Sequence, residues 1–382
     1  MSELARPLRA VNRPPLPAHQ RGFGGRVLTA AATPGGAVFV LVIVLVIAIT
    51  ARNENFSDPG VLIRFIGRTA PIAIAAMGQY FVIVSGEFDL SMAAVVTAQV
   101  VMAGNLIGQD TGRILPVMVL MLAVGALIGL INGLATTLLQ VPSFIVTLGM
   151  MLALGGLVRY LTGGAATGNP VDEFREIGRG GIENVPVVDI VPYPLIIFAV
   201  LATLAAWLMA RPYGRSLIAA GDNPDASRVS GVSVWWLKTR AFMLSSLSAT
   251  VAGIILVGYA GVHPSVGQGY EFTAITAVVL GGVLLGGGRG WVLSAAAGAF
   301  ALELLFTLLT TYEVSATWRD TVQGLIIILA VAAAGRAWQF GRRPRGSRRT
   351  SLGSTPAPPS TTPTSTTPTS TPDPGSNPRE TK

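Results

Sequence analysis

The chain has 382 residues, of which 51% are apolar and only 12% charged, and its formal net charge is +8. A soluble domain carries roughly 25% charged residues, so this balance excludes an ordinary water-soluble fold. With no cysteine and only His19 and His263, the sequence also excludes disulfides, thiolate chemistry, cysteine metal sites and a histidine metal pair.

Apolar runs of about twenty residues recur without period-two alternation, which predicts an all-α polytopic membrane protein rather than a lipid-facing barrel. Residues 1–35 form a basic N-terminal segment with Arg6, Arg9, Arg13, Arg21 and Arg26 against Glu3. The transmembrane domain is expected over 36–338, with about ten transmembrane helices. In chain order these are Gly36–Thr50, Thr69–Ser85, Leu90–Ile107, Ile114–Leu139, Ser143–Leu161, Tyr193–Ala210, Arg240–Tyr259, Ala274–Leu285, Trp291–Thr311 and Thr321–Trp338. The first is read as an uncleaved span, because a long segment precedes it and no A-x-A site closes it.

Arginine bias sets the orientation. The N-terminal arginines and Arg336, Arg342, Arg343, Arg345, Arg348 and Arg349 predict that both termini are cytoplasmic. An even number of spans then puts the 163–190 loop outside, where Asp172, Glu173, Glu176, Glu183 and Asp189 outnumber Arg175 and Arg179. The basic 211–240 segment falls inside. The Ser/Thr/Pro-rich stretch within 339–382 lacks the residues to bury a core and is expected to be a disordered cytoplasmic tail. The arginines flank spans instead of interleaving with aromatics along a groove, so no nucleic-acid partner is expected.

Lys238 and Lys382 are the only lysines, and neither follows a glycine-rich loop. A Walker-type phosphate loop needs a lysine there, so the chain itself carries no such ATPase and no cofactor. The glycine cluster Gly281–Gly290 is read as close helix packing followed by a tight cytoplasmic turn carrying Arg289.

The inner segment reads RPYGRSLIAAGDNPDASRVSGVSVWWLKTR, Arg211 to Arg240. Asn223 suits a helix N-cap, Pro224 the first helical position, Asp225 the positive end of the dipole, and Gly231 a left-handed stop. A helix of about two turns is unstable alone in water and needs something to pack against. A surface loop with a helical kink and a docking element for a cytoplasmic partner both fit these residues.

GRSLIAAGDNPDASRVSGVSV resembles the cytoplasmic coupling segment of ABC importer permeases of the ribose/xylose/galactose type, within the branched-chain amino acid/sugar permease superfamily. SGEFDLSMAAVV resembles the family's G-G-x-D-L-S signature, with Glu87 at a frequent glycine. INGLATTLLQVPSFIVTLGMMLALGGLVRYLTGG and GQGYEFTAITAVVLGGVLLGGGRG resemble two further blocks, and the similarity runs in order over roughly Ala70 to Ala333. The resemblance implies a permease subunit in the plasma (inner) membrane, present as a homodimer or as a pseudo-dimer with a second permease. It implies a cytoplasmic ABC ATPase that binds ATP and Mg, an extracytoplasmic sugar-binding protein, and no enzymatic activity in this chain. Gly221, Asn223, Pro224, Asp225, Ala226, Arg228 and Gly231 would form the ATPase-coupling segment. Departures at Val283, Leu284 and Phe306-Thr307-Leu308, together with Glu303, bear on which sugar is carried.

Glu87 and Asp89 are costly in a membrane, roughly 2.5–3.5 kcal/mol each on insertion scales, so neither should face lipid. Three readings compete. Asp89 or Ser91 caps the third helix; the acids line the translocation path; or an ion pair forms with Arg64, Arg68 or Arg159. A paired-carboxylate glycosidase fails, because adjacent acids on one backbone cannot flank a glycosidic bond. Gln79, Asn105, Asn132 and Glu303 join the two acids as candidate path residues, against the simpler alternative of hydrogen bonds between helices. The rival class is an ion-coupled secondary transporter with Glu303 as its ion site. Within the ABC class, branched-chain amino acids or nucleosides are the alternative cargo.

Overall fold

The computed structural model describes residues 33–341. Residues 1–32, with the N-terminal arginines, and residues 342–382, with the C-terminal arginine cluster from Arg342 and the Ser/Thr/Pro-rich tail, lie outside them. One compact unit ends at Trp338, and the next is described only through Gln339–Gly341.

Every apolar run expected as a span falls on a helix. The first half holds α1 (Pro34–Thr50), α2 (Pro59–Val84), α3 (Met92–Ile107), α4 (Ile114–Leu138), α5 (Ser143–Thr162) and the short α6 (Asp172–Arg179). The second holds α7 (Tyr193–Ala210), α8 (Pro212–Asp222), α9 (Pro224–Val229), α10 (Val234–Ala260), α11 (Tyr270–Leu280), α12 (Val292–Thr311) and α13 (Arg319–Gly341). Six of them, α2, α4, α5, α7, α10 and α12, are long and apolar enough to cross a membrane, and α1, α3 and α11 are shorter apolar helices.

Local chemistry shifts some boundaries. α2 starts well before the expected Thr69, because Asp58 Oδ1 accepts from Gly60 N at 2.6 Å and Val61 N at 3.4 Å and Pro59 occupies the first helical position. The fold is helical as expected, with one small addition in a loop. Within the 163–190 loop and just beyond it, β1 (Gly181–Val185) pairs antiparallel with β2 (Asp189–Pro192), with Gly181 opposite Pro192.

The core is organised around α10, against which α2, α3, α4 and α6 pack. Gly125, Gly129 and Gly133 recur every four residues and so share one face of α4. A Cβ at Gly129 would overlap the Met243 Cα and the Phe242 carbonyl, one at Gly133 the Thr239 Cα, and one at Gly125 the Thr250 Oγ1. As the α4 numbers rise the α10 numbers fall, so the two helices run antiparallel at near-backbone contact. Outer helices are bare: Leu115 on α4, Leu152 on α5 and Val200 on α7 are 71%, 65% and 61% exposed. Such apolar surface suits hydrocarbon and not water.

Contacts sort the loops to two ends. At one, Val171 N donates to the Gly108 carbonyl at 2.7 Å and Gln323 Nε2 to Thr273 Oγ1 at 2.7 Å. At the other, Gly288 N donates to the Val84 carbonyl at 2.9 Å and Phe88 N to Ser143 Oγ at 3.1 Å. The second end collects Ser85–Ser91, the α8–α9 segment and the 281–291 turn.

Candidate functional site

After α2 stops at Val84, Gly86 turns the chain with a φ of +85°, and residues 87–90 have no regular structure. Backbone of this kind at membrane depth is tolerated where protein buries it. Both acids of this segment reach the same helix. Lys238 Nζ donates to Glu87 Oε1 at 2.5 Å, and Ser245 Oγ donates to Asp89 Oδ2 at 2.7 Å. Lys238 and Ser245 stand two turns apart on one face of α10, a rise of about 10 Å. Two acids one residue apart thus form two rungs of a clamp on the central helix.

The rungs differ in depth. Asp89 is 1% exposed, and its Oδ1 accepts from Ser91 N at 3.0 Å and Ser91 Oγ at 2.6 Å. Asn132 Nδ2 on α4 donates in turn to Ser91 Oγ at 2.8 Å. A buried carboxylate needs such donors, and charge-assisted bonds are the strong kind. The Glu87 and Lys238 side chains remain 18% and 14% exposed.

Two expectations are revised here. Ser91 holds the N-cap position of α3 but makes no side-chain cap bond. Asp89 instead fastens the stretch just ahead of that helix. The ion-pair partner is Lys238 and none of Arg64, Arg68 or Arg159. The physical reason is placement, since Arg64 and Arg68 sit on the half of α2 near Asp58, and Arg159 near the end of α5, away from Ser85–Ser91.

The 211–240 segment folds as two short helices and the start of α10. Asn223 Oδ1 accepts from Ala226 N at 2.9 Å, Pro224 opens α9, and Arg228 Nη1 bonds Asp225 Oδ1 at 2.8 Å. Gly231 follows at a φ of +82°. Ser227 is buried while Val229 is 91% exposed, so α9 offers an apolar tip. Gly221 ties this segment to the clamp, since a Cβ there would overlap the Val84 carbonyl and the Gly288 nitrogen. Gly287, at a φ of +82°, meets Gly86 and the Gly221 carbonyl. The end of α8 and two loops therefore touch backbone to backbone through glycines.

The remaining candidates are dispersed. Gln79 on α2 is fully buried and neither of its amide atoms has a partner. Asn132 has its carbonyl oxygen unpaired. Asn105 lies at the opposite end, bonding the Val101 carbonyl at 2.9 Å and Thr167 at 3.4 Å. Glu303 on α12 has Arg319 and Arg68 as charged neighbours, with Tyr259 and Tyr270 close by. Among the described residues no group of three acids or histidines is placed to hold a metal.

A family model described as branched-chain amino acid transport system / permease component matches residues 61–331. The chain belongs to this permease family. It is 33% identical over 296 residues to the ribose import permease protein RbsC of Escherichia coli strain K12, covering 76% of this chain and 91% of that protein. Against RbsC of Bacillus subtilis strain 168 the identity is 32% over 302 residues, covering 77% and 90% of the two chains. It is also 30% identical over 304 residues to the autoinducer 2 import system permease protein LsrC of Enterobacter sp. strain 638, covering 79% and 86%. No solved structure matches the chain. The family is one of transport permeases and not of enzymes. With its apolar helices, the permease is a multi-pass protein of the inner membrane.

Sequence reasoning missed Lys238 and Ser245. The permease nevertheless signals the first: Lys238 is the sole lysine before residue 382 and lies in the second turn of a long apolar helix. A cation there opposes the helix dipole and implies a carboxylate partner.

Proposed function

We propose that the permease is the membrane-spanning subunit of a binding-protein-dependent ABC importer for a monosaccharide of the ribose/xylose/galactose class, driven by ATP hydrolysed on a separate subunit. The observation that carries this is one-third identity with ribose import permeases along nine-tenths of their length. Ten spans with both termini cytoplasmic would put α8 and α9 on the cytoplasmic side. The end carrying α8 and α9 holds Arg211, Arg215, Arg228, Lys238, Arg240 and Arg289, as the positive-inside rule asks of a cytoplasmic face. The exposed Val229 tip and capped α9 support docking to the ATPase, which would hold ATP and Mg. Two copies would form the pathway in contact with membrane lipid, and the acidic 163–190 loop would receive the basic rim of a sugar-binding protein. Within the span, both amide atoms of Gln79 are unpaired and open to sugar hydroxyls, and Glu303 would be the acid of the path; Asp89 spends its own capacity on Ser91 and Ser245.

The test is purification of the native complex in mild detergent with mass spectrometry of its partners. A Walker-bearing ATPase at near-equal stoichiometry, lost when Asp225–Gly231 is scrambled, is the expected result. A permease that purifies alone and drives uptake without ATP would refute it. Because the family's description names branched-chain amino acids, the copurifying binding protein is titrated with ribose and with leucine, and the sugar is expected to bind.

A further inference from the structure

The geometry points to Lys238 as the positioning residue that transmits motion from the coupling segment to the Ser85–Ser91 segment. Its ion pair with Glu87 opens and closes in each transport cycle, while the Asp89–Ser245 rung stays shut as the pivot. The inference rests on the permease reading above and adds the element through which an ATPase stroke reaches the membrane.

Three observations carry it. First, Lys238 lies in the second turn of α10, immediately after the residues that connect α9 to that helix, whereas Ser245 lies two turns deeper. A displacement of α9 therefore arrives at Lys238 first. Second, the rungs differ in what breaking them leaves behind. Glu87 and Lys238 are 18% and 14% exposed, so water reaches both charges when they part, and the lysine stem is flexible. Asp89 and Ser245 are 1% and 0% exposed, and parting them strands a carboxylate oxygen with no donor and no water. Third, the segment that Glu87 belongs to is fastened to several other elements. Phe88 N bonds Ser143 Oγ at the start of α5, Ser91 Oγ accepts from Asn132 on α4, and Gly86 abuts Gly287 in the 281–291 turn. Moving Glu87 about the Asp89 pivot moves the beginnings or ends of all of these together.

A latch and a static staple make different predictions, and the cysteine-free chain allows a clean test. Glu87→Cys and Lys238→Cys are introduced together into the full complex of permease, ATPase and binding protein in proteoliposomes. A short, reducible bis-thiosulfonate linker then joins the two thiols. The latch predicts that cross-linking lowers sugar uptake at least tenfold, and that reductant restores it to within twofold of the unlinked complex. Linked complexes that transport within twofold of unlinked ones would overturn the inference. The second variant is Lys238→Met, scored per assembled complex. The latch predicts severalfold higher ATPase activity in the absence of binding protein, with lower uptake, and recovery of coupling in the charge-reversed pair Glu87→Lys/Lys238→Glu. A Lys238→Met complex present in smaller amounts but with unchanged coupling per complex would overturn it. Both experiments start from a wild-type complex showing ATP-driven uptake; if that is absent, the permease reading fails and not the latch.

Discussion

Ser245 and Ser246 are neighbours on α10 and both are fully buried, yet their hydroxyls differ in what they bond. Ser245 Oγ donates to Asp89 Oδ2 at 2.7 Å, whereas Ser246 Oγ has no partner. Removing the first hydroxyl takes away the donor of a buried carboxylate oxygen, and a hydrogen bond to a charged group is worth about 1.5–3 kcal/mol. Removing the second deletes a polar atom that is already unsatisfied, which is neutral or mildly stabilising. Ser245→Ala is therefore expected to destabilise the permease by about 2 kcal/mol, and Ser246→Ala to leave stability unchanged within about 0.5 kcal/mol or to raise it slightly. At about 2.1 cal/mol/K of unfolding entropy per residue, the first loss lowers the thermal midpoint of a 382-residue chain by about 2–3 °C. The assay is unfolding of purified permease in mixed micelles by titration with denaturing detergent, checked by thermal melts. Equal effects of the two substitutions would mean that Asp89 is hydrated or neutral and is not held by the clamp.

Other outcomes follow from the same contacts. Gly129→Leu puts side-chain atoms into the Phe242–Met243 backbone and is expected to abolish folded protein in the membrane, whereas Gly149→Ala, which meets nothing within 4 Å, leaves its level unchanged; immunoblots of solubilised membranes compare them. Asn223→Ala removes the α9 cap and costs about 1 kcal/mol of helix stability, so ATPase retention on the purified permease is expected to fall while permease yield stays constant. Glu303→Gln is expected to lower uptake without lowering the amount of folded protein, and wild-type uptake by a well-expressed mutant would remove Glu303 from the path.

The helices were legible in the sequence because burial in lipid demands long apolar runs with few charges, and these mark themselves one by one. The α9 cap was legible for a similar reason: Asn223, Pro224, Asp225 and Gly231 act on their own backbone within one turn or two. What failed was long-range. Lys238 and Glu87 are 151 positions apart in sequence, as are Gln99 and Thr250, and no local period reports such a pair. The arginines considered for Glu87 were nearer in sequence, but Arg64 and Arg68 lie several turns back along α2 itself, toward its Asp58 end. The hairpin at Gly181–Pro192 was missed because Asn184, Val187 and Asp189 adopt positive φ without being glycine, so the usual turn signal is absent. The start of α2 was missed because Arg64 and Arg68 interrupt the apolar run that marks a span, while the Asp58-Pro59 cap lies upstream of them.

Transport by this chain is proposed to be driven by a separate ATPase. The direct measurement is uptake of radiolabelled ribose into proteoliposomes holding the purified complex, with binding protein outside and ATP supplied on the ATPase side. Uptake is expected to need both ATP and binding protein and to be indifferent to ionophores. Uptake by the permease alone, without ATP and abolished by collapsing an ion gradient, would contradict it.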